Sequence, residues 1–540
     1  MTDVADPSAV DLFGEWHDGA GASGMRAPGG GTAYRALLPA TAPGPGQQYR
    51  FEVDLDSCTG CKACVAACHS LNGLDEDETW RSVGLLVGGT AAPPTTATVA
   101  TPVAPWQQHV TTACHHCLEP ACLAGCPVEA YEKDPITGIV SHLDDQCIGC
   151  RYCMLTCPYE VPSFNERLGV VRKCDMCKDR LAEGEEPACV QGCPTDAISI
   201  GLVSTVELQA GLAVDPSARL VPTAPRSAHT QPTTVYLTRR PTAPHNVVAA
   251  DDHHVVPAHN HPPLVAMLVL TQMSVGAFVL SHLLDLSGVS EAAGSTASAV
   301  LSWVSALVAI GASVLHLGRP LVAWRAVLGL RHSWLSREIV AFGAYAPLGG
   351  ATAAASAGWL PNGLTPWLAT ATALVGLAGV GCSAMLYAVT GRPYWRLDRT
   401  VARFVVTMAA TGGAAVALAD VAVAGGEHAA VAATWVATCG IAVGWMMTFV
   451  FVARHRGAAG PLGRSVSLLT GVLSPQMGLA FGASGVAVVI AGGASAGSPS
   501  PTAAVVLAAV ALLAVLVAAW IERGLYFTGD SPDRMPGALR

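Results

Sequence analysis

Four groups of closely spaced cysteines lie in the first 200 residues, and their spacing limits the fold more strongly than any other feature of the chain. In the third group, Cys147, Cys150, Cys153 and Cys157 are separated by two, two and three residues, and Pro158 follows. Such short spacers let one tight loop wrap three thiolates around a cubane [4Fe–4S] cluster, while the fourth cysteine normally binds the other cluster of a pair. The spacing therefore predicts an iron–sulfur domain.

The other three groups vary the same pattern. The first ends in His69 where the third has proline, whereas the second and fourth end in Cys-Pro. Their members are Cys58, Cys61, Cys64 and Cys68; Cys114, Cys117, Cys122 and Cys126; and Cys174, Cys177, Cys189 and Cys193. Sixteen cysteines in four groups predict four [4Fe–4S] clusters. Strand-like stretches at 51–56, 138–140 and 197–200 predict an α+β ferredoxin-like domain around them, with an inserted hairpin at 70–110 that includes the alternating stretch Thr96–Val103.

Disulfides and zinc are the alternative uses of so many cysteines. Disulfides suit the short spacers poorly, and no basic residue or apolar run marks a secretory signal peptide before Arg26. Zinc needs only two Cys-x2-Cys pairs, so four triplets with trailing Cys-Pro exceed its requirement. Iron–sulfur clusters are therefore the interpretation that the spacing favours.

Composition divides the chain into two parts. Residues 1–257 contain 16 basic and 30 acidic side chains, and residues 258–540 contain 14 arginines, 9 acids, no lysine and long apolar runs. The first part is therefore predicted to be water-exposed and the second to lie in a lipid bilayer. No basic stripe indicates nucleic-acid binding.

Eight apolar runs of about twenty residues predict an all-α polytopic domain of eight transmembrane helices. They lie near 263–284, 297–317, 337–358, 366–390, 401–424, 429–452, 466–494 and 502–521. The predicted domains are a flexible lead-in (1–49), the four-cluster domain (50–205), a linker (206–262) and the membrane anchor (263–540).

All 14 arginines of the membrane part fall in the connections after even-numbered spans, in the C-terminal tail, or at the adjoining helix starts. Arginine-rich connections remain in the cytoplasm, and an even number of spans returns the chain to its starting side. The sequence therefore predicts a multi-pass protein of the cytoplasmic membrane with its cluster domain on the cytoplasmic side.

Clusters joined to a membrane domain predict electron exchange with a lipid-soluble quinone. His316 lies at the inner end of the second span and Glu338 at the start of the third, so the two predict a site that binds quinol and takes up its protons. The alternative is that both residues cap helices or pair with loop arginines. Haem is not expected, because His282 and His316 lie at opposite membrane edges.

The chain resembles two subunits of the dimethyl sulfoxide reductase family joined end to end. Residues 51–240 resemble its four-cluster electron-transfer subunit in all four cysteine groups. Residues 262–540 resemble its membrane anchor, most closely at 271–278, 316–320 and 331–338. The resemblance implies an α+β ferredoxin-like domain followed by the anchor, a menaquinol site at His316 and Glu338 with Gln272 and Arg319 beside them, and no haem.

The resemblance also implies crossed cluster ligation. The implied ligand sets are Cys58, Cys61, Cys64 and Cys193; Cys174, Cys177, Cys189 and Cys68; Cys114, Cys117, Cys122 and Cys157; and Cys147, Cys150, Cys153 and Cys126. Related nitrate reductase subunits have tryptophan and a [3Fe–4S] cluster where this chain has Cys150, so four [4Fe–4S] clusters are expected here.

The implied partner is a molybdopterin-containing catalytic subunit that reduces an S- or N-oxide during anaerobic respiration, with electrons drawn from the quinone pool. Two alternatives remain open. The same parts resemble inward-facing sulfite dehydrogenases, in which electrons flow in reverse, from substrate to quinone. The eight spans could instead couple electron flow to ion movement, although Asp420 and Glu522 lie near span ends rather than deep within them.

Overall fold

The computed structural model describes residues 38–39, 41–88, 106–240, 247–252, 254–290, 292–423, 427–496 and 500–537. The chain forms two compact units, Met1–His254 with Asp533–Arg540, and Val255–Pro532. Most of the predicted lead-in at 1–49 lies outside the described residues, as does the stretch Thr96–Val103. The expected fold class, a ferredoxin-like domain followed by eight candidate membrane-spanning helices, is confirmed.

The first unit contains two three-stranded sheets and two short hairpins. Its strands are β1 (Gln47–Asp54), β2 (Ser82–Gly88), β3 (Trp106–Thr112), β4 (Tyr131–Lys133), β5 (Val140–His142), β6 (Ser163–Asn165), β7 (Val170–Arg172), β8 (Ile198–Ser204), β9 (Val235–Leu237) and β10 (Val248–Ala249). The sheet orders are β8-β1-β9 and β10-β2-β3, and the hairpins are β4-β5 and β6-β7. Alternation in β1 directs Phe51 and Val53 into the interior, which fixes its register between β8 and β9.

Short helices follow the cysteine loops, and they associate in pairs. The α-helices of this unit in the described residues are α1 (Ala63–Leu71), α2 (Ala121–Gly125), α3 (Tyr152–Thr156), α4 (Lys178–Ala182), α5 (Ala188–Gln191) and α6 (Thr205–Val214). Helix α1 packs against α5, and α2 packs against α3. A Cβ added to Gly125 would lie 3.0 Å from Thr156, and one added to Gly192 would lie 2.7 Å from Ala67. The first cysteine group is thus held against the fourth, and the second against the third.

The predicted linker at 206–262 differs from the structure. Helix α6 lies there, β9 pairs in parallel with β1, and β10 pairs with β2. The Tyr236 hydroxyl also donates to the Thr111 carbonyl at 3.1 Å. Strands of two or three residues leave little periodicity in a Pro- and Thr-rich sequence, so their pairing is set by the strands already present.

A C-terminal segment, residues 533–537, also belongs to the first unit. Met535 is fully buried in the same core as Val53, Val110 and Ala224. Arg534 forms an ion pair with Asp251 at 3.0 Å. The core of the first unit is therefore completed by residues that follow the entire membrane domain.

The second unit is a bundle of long helices. Its helices are α7 (Pro262–Leu286), α8 (Ala292–Val314), α9 (Trp334–Ser356), α10 (Thr365–Ala388), α11 (Leu397–Val423), α12 (Glu427–His455), α13 (Pro461–Thr470), α14 (Ser474–Ala496) and α15 (Pro501–Thr528). All except α13 are long and apolar enough to cross a membrane, which gives eight candidate spans among the described residues.

The seventh span begins later than predicted. The apolar run from 466 was assigned to one helix, but α13 ends at Thr470 and α14 starts at Ser474. The backbone turns at Gly471, where an added Cβ would lie 2.7 Å from the Ser467 carbonyl oxygen. Continuous hydrophobicity hides such a turn, because apolar composition does not distinguish one helix from two.

Helices α7 and α11 are the most buried of the spans. They approach closely because both carry glycine where they meet: a Cβ on Gly276 would collide with the Met408 carbonyl, and one on Gly412 would lie 2.5 Å from Gly276. Small residues at such crossings are how helices gain van der Waals contact in lipid. Between them, these two helices pack against α8, α10, α12 and α15.

Candidate functional site

The four cysteine loops share one backbone conformation. In each group, the residue before the second cysteine has a positive φ: 74° at Gly60, 40° at His116, 68° at Gly149 and 63° at Met176. A left-handed residue at this point turns the chain sharply enough for neighbouring thiols to face one centre. Non-glycine residues adopt this conformation at a cost, so its presence at His116 and Met176 indicates that the loop geometry is held by its surroundings.

The thiols can be grouped into four quartets, in each of which every thiol interacts electrostatically with at least one other member. Quartet one is Cys58, Cys61, Cys64 and Cys193, quartet two is Cys68, Cys174, Cys177 and Cys189, quartet three is Cys114, Cys117, Cys122 and Cys157, and quartet four is Cys126, Cys147, Cys150 and Cys153. Each quartet combines cysteines from two of the four sequence groups, because α1 packs on α5 and α2 packs on α3. They have the same membership as the ligand sets that the family resemblance implies.

The quartets also follow one another in order. Cys64 of quartet one interacts with Cys189 of quartet two, and Cys174 of quartet two interacts with Cys114 of quartet three. Tyr131 interacts with thiols of both quartet three and quartet four. Successive quartets are thus neighbours in a series from one to four.

Two buried cations lie at the junctions of this series. Arg81 interacts with thiols of quartets one and two, donates to Thr111 at 3.1 Å and lies over the Phe51 ring. Lys173 interacts with thiols of quartets two and three and donates to the Cys174 carbonyl at 2.8 Å. Both residues are only 3% exposed, so cysteine sulfurs rather than water are available to compensate their charge once the thiols lose their protons.

The donor set of each quartet fits a cubane cluster. Backbone N–H groups point at several sulfurs, as from Gly149 to Cys147 and from Ala197 to Cys193, both at 3.3 Å. Burial raises the pKa of the Cys68 thiol to about 12 and that of Cys157 to about 11. These thiols must lose their protons on binding iron, so cluster insertion releases protons. Among the described residues, no three His, Cys, Asp or Glu side chains are close enough to hold a single metal ion.

The predicted quinol-site residues make contacts with different neighbours in the membrane unit. His316 lies just after α8, and its ring centroid is 5.8 Å from that of His261, which precedes α7. Glu338, in the second turn of α9, is 3% exposed and accepts a hydrogen bond from the Ser383 hydroxyl on α10. Arg319 immediately precedes the short 3-10 helix Pro320–Val327. His316 and Glu338 lie at helix ends on the same side of the bundle.

Gln272 lies deeper, on α7, and its partner is a residue that the sequence did not single out. Arg523 Nη2 donates to Gln272 Oε1 at 2.9 Å and to Thr407 Oγ1 at 3.0 Å, and its guanidinium lies 4.4 Å from the Phe404 ring centroid. The sequence places Arg523 in the C-terminal tail, just after the predicted eighth span, but α15 continues to Thr528 and the Arg523 side chain is fully buried. The Leu-Tyr-Phe sequence after Gly524 was the available signal that the helix continues.

Matches to known families agree with this architecture. Residues 106–203 match the 4Fe-4S dicluster domain, and residues 258–455 match the DMSO reductase anchor subunit, DmsC. Fold and quartets together define an iron–sulfur electron-transfer protein that continues into a polytopic membrane anchor.

Named relatives make the assignment more specific. The B subunit of the anaerobic dimethyl sulfoxide reductase of Escherichia coli K12 is 37% identical over 169 residues, which is 30% of this chain and 78% of the relative. YnfG of the same strain, a probable subunit of an anaerobic dimethyl sulfoxide reductase, is 35% identical over 193 residues, 35% of this chain and 87% of the relative. The chain belongs to the family of dimethyl sulfoxide reductase B subunits, with the anchor subunit fused to it, which confirms the predicted resemblance.

The cluster domain is also similar to a protein whose name refers to a hydrogenase operon. The hydrogenase-2 operon protein HybA of Escherichia coli O157:H7 is 37% identical over 163 residues, 27% of this chain and half of the relative. The present chain also matches the anchor subunit over residues 258–455.

Proposed function

We propose that this chain carries electrons from menaquinol through four [4Fe–4S] clusters to a molybdopterin-containing catalytic subunit that reduces an S- or N-oxide. The observation that carries the proposal is the series of four thiol quartets in a chain that continues into eight candidate spans. Membership of the dimethyl sulfoxide reductase B-subunit family supports the type of partner.

Each quartet would hold one cluster through its four cysteine sulfurs. When bound, such a cluster accepts and releases one electron. The protein residues supply the rest: N–H groups donate to the sulfurs, and Arg81 and Lys173 offset the negative charge of the thiolates between successive quartets. Electrons would enter at one end of the series and leave at the other.

The quinol site is proposed at His316 and Glu338. Oxidation of a quinol releases two protons with two electrons, so the site needs proton acceptors at a membrane edge. Glu338 is buried and its carboxylate is oriented by Ser383, while His316 lies beside His261 at the same side of the bundle. Gln272 and Arg319 are proposed as further polar contacts for the ring.

We propose that the arginine-rich side of the bundle faces the cytoplasm. The connections after α8, α10 and α12, together with the helix ends beside them, are rich in arginine, whereas the connections after α7, α9, α11 and α14 contain none. Arginine is retained on the cytoplasmic side during insertion. The cluster domain precedes an even number of spans, so it would lie on that side of the cytoplasmic membrane.

The quinol site can be tested by separating its role from that of the clusters. In His316→Ala, we expect a reduced menaquinone analogue to fail to reduce the clusters of the purified complex, while dithionite reduces them normally. The matched control is His282→Ala. His282 lies near the C-terminal end of α7, on the other side of the bundle from His316, and forms a hydrogen bond with Thr370. Quinol-driven reduction that survives in His316→Ala would place the site elsewhere.

The direction of flow needs a separate assay of the complex purified with its partner. We expect quinol-dependent reduction of S- or N-oxides, and iron analysis should give about sixteen atoms per chain. Reduction of quinone by sulfite or a similar donor would instead support reverse flow through the same parts. Stoichiometric zinc in place of iron would contradict the cluster assignment.

A further inference from the structure

A cavity lies in the membrane unit between four of the candidate spans. It has a volume of about 820 Å³, including the part open to its surroundings, and its walls come from α11, α12, α14 and α15 with single residues of neighbouring segments. Its lining includes none of His316, Glu338, Gln272 and Arg319. Spaces between the helices of a bundle are among the places where proteins bind small molecules.

One end of this cavity is polar, and the two charged residues that line it have opposite signs. Arg403 donates to the Tyr394 hydroxyl at 3.2 Å and lies 3.8 Å from the Glu522 carboxylate. Thr407 is committed to the protein, because it donates to the Arg403 carbonyl at 2.9 Å and accepts from Arg523. The groups that can turn to a ligand here are thus one cation, one phenol and one carboxylate.

The remainder of the cavity is apolar and extends along the helices. On α11 the lining passes from Arg403 to Ala410, seven residues that correspond to about 10 Å of helix. Val515 on α15 and Met477 on α14 line the same region, and Trp445 adds an aromatic face. A ligand that fits has a small polar head and an apolar body.

We propose that this cavity is a second binding site for a quinone ring, with its isoprenoid tail among α11, α12, α14 and α15. The charged residues that line the cavity favour a quinone over a phospholipid, because Arg523 lies outside the lining and is committed to Gln272 and Thr407. A phosphate beside Arg403 would also lie beside Glu522, so an anionic headgroup gains little net attraction. An uncharged ring can accept hydrogen bonds from Arg403 and Tyr394 through one oxygen, and its reduced form can donate a hydroxyl hydrogen to Glu522.

The two sites lie at the same side of the bundle. Arg403 is in the second turn of α11 and Glu522 in the last two turns of α15, and these helix ends are on the side of His316 and Glu338. The inference rests on the proposed function only in that the anchor meets the quinone pool. It adds a place where a second quinone is held while the first site turns over.

Photolabelling of the whole complex tests the inference. An azido-menaquinone analogue is cross-linked in nanodiscs, and the labelled peptides are mapped by mass spectrometry. We expect label at residues 403–410 or 444–448 in addition to label near His316 or Glu338. Thr448→Phe narrows the cavity and should remove the first label, and Glu522→Gln should weaken it roughly tenfold, as expected for loss of a hydrogen bond to a charged group.

Met446→Phe is the matched control, because Met446 is on the same helix but 57% exposed and outside the lining. It should leave both labels unchanged. Label near His316 or Glu338 alone would overturn the second site and leave the proposed function standing, and label in neither place would overturn both. Label in the cavity alone would move the quinol site there, and exclusion of the analogue by a co-purified phospholipid would overturn the choice of a quinone.

Discussion

Charged side chains that water cannot reach have a direct effect on neighbouring redox centres. Arg81 and Lys173 are nearly fully buried, and their strongest favourable interactions are with cysteine sulfurs of adjacent quartets. A fixed positive charge stabilises the reduced, more negative state of a cluster. These two residues are therefore positioned to set the relative potentials of quartets one, two and three.

Replacement of Arg81 by methionine should lower the reduction potential of the clusters in quartets one and two. The expected change is roughly 70–100 mV for a unit charge about 7–10 Å away at an effective dielectric constant of about 20. Potentiometric titration followed by electron paramagnetic resonance measures it. Arg50→Gln is the control, because Arg50 pairs with Glu52 on β1 and should leave the potentials unchanged.

Replacement of Cys150 by alanine should convert one cubane to a three-iron cluster. Quartet four would then offer three thiolates, and one corner iron would lack its ligand. Iron content should fall from about 16 to about 15 atoms per chain, with a new paramagnetic signal in the oxidised protein. Cys439→Ala, which removes an exposed thiol of α12, should change neither; an unaltered spectrum in Cys150→Ala would mean that this thiol binds no iron.

The cysteine spacing predicts sixteen thiols as cluster ligands because ligand spacing is a local property of the chain, whereas their crossed grouping is implied only by the family resemblance. The buried cations and Arg523 were not predicted, because nothing in their local sequence separates them from surface arginines and lysines. Arg81 is enclosed only when β2 and β3 pair beside Phe51, and Arg523 only when α15 packs on α7 and α11. Such residues depend on contacts between distant segments.

Among the secondary structure elements, α7 and α11 have the strictest packing. Gly276 and Gly412 allow their backbones to meet, and Gly413 lies against α12, where an added Cβ would be 2.7 Å from the Ala433 carbonyl oxygen. Helix α11 therefore has glycine contacts on two sides. At this crossing an added methyl group would overlap the backbone of the neighbouring helix.

Replacement of Gly412 by alanine should separate α7 from α11 and destabilise the anchor by about 1–3 kcal/mol, the usual cost of overpacking. The measurement is the thermal unfolding midpoint of the detergent-solubilised protein, together with the yield of folded protein from membranes. Gly381→Ala on α10 is the control, because an added Cβ there meets nothing within 4 Å. Equal stability of the two variants would show that the close crossing does not limit packing.

The long helices and the strands β1 and β8 were predictable, whereas the strands of the predicted linker were not. A run of twenty apolar residues in lipid forms a helix, because only a helix satisfies its backbone hydrogen bonds internally. The eight spans therefore follow from composition, and seven of them begin within five residues of the predicted starts. The turn at Gly471 and the pairing of β9 with β1 leave no comparable signal, because each is decided by the neighbours on which the segment packs.

At the scale of the whole molecule, the chain combines in one polypeptide the iron–sulfur and anchor parts that the names of its matches describe as separate subunits. Fusion fixes one cluster domain to each anchor, so the two are always present in equal amounts. It also ties their orientation together: whichever side holds the arginine-rich connections should hold the four clusters.

This orientation can be tested with protease sites inserted in exposed connections. A site after Gly457, in the arginine-rich connection that follows α12, should be cut in inverted membrane vesicles and protected in intact spheroplasts. A site after Gly358, in the connection that follows α9, should behave in the opposite way. Cleavage of both sites from the same side would contradict the alternating path of the spans.

The C-terminal segment completes the core of the first unit, although it is synthesised last. Met535 fills the core shared by Val53, Val110 and Ala224, yet it leaves the ribosome only after all eight hydrophobic helices. The core of the cysteine-rich unit therefore remains incomplete until the anchor has been synthesised.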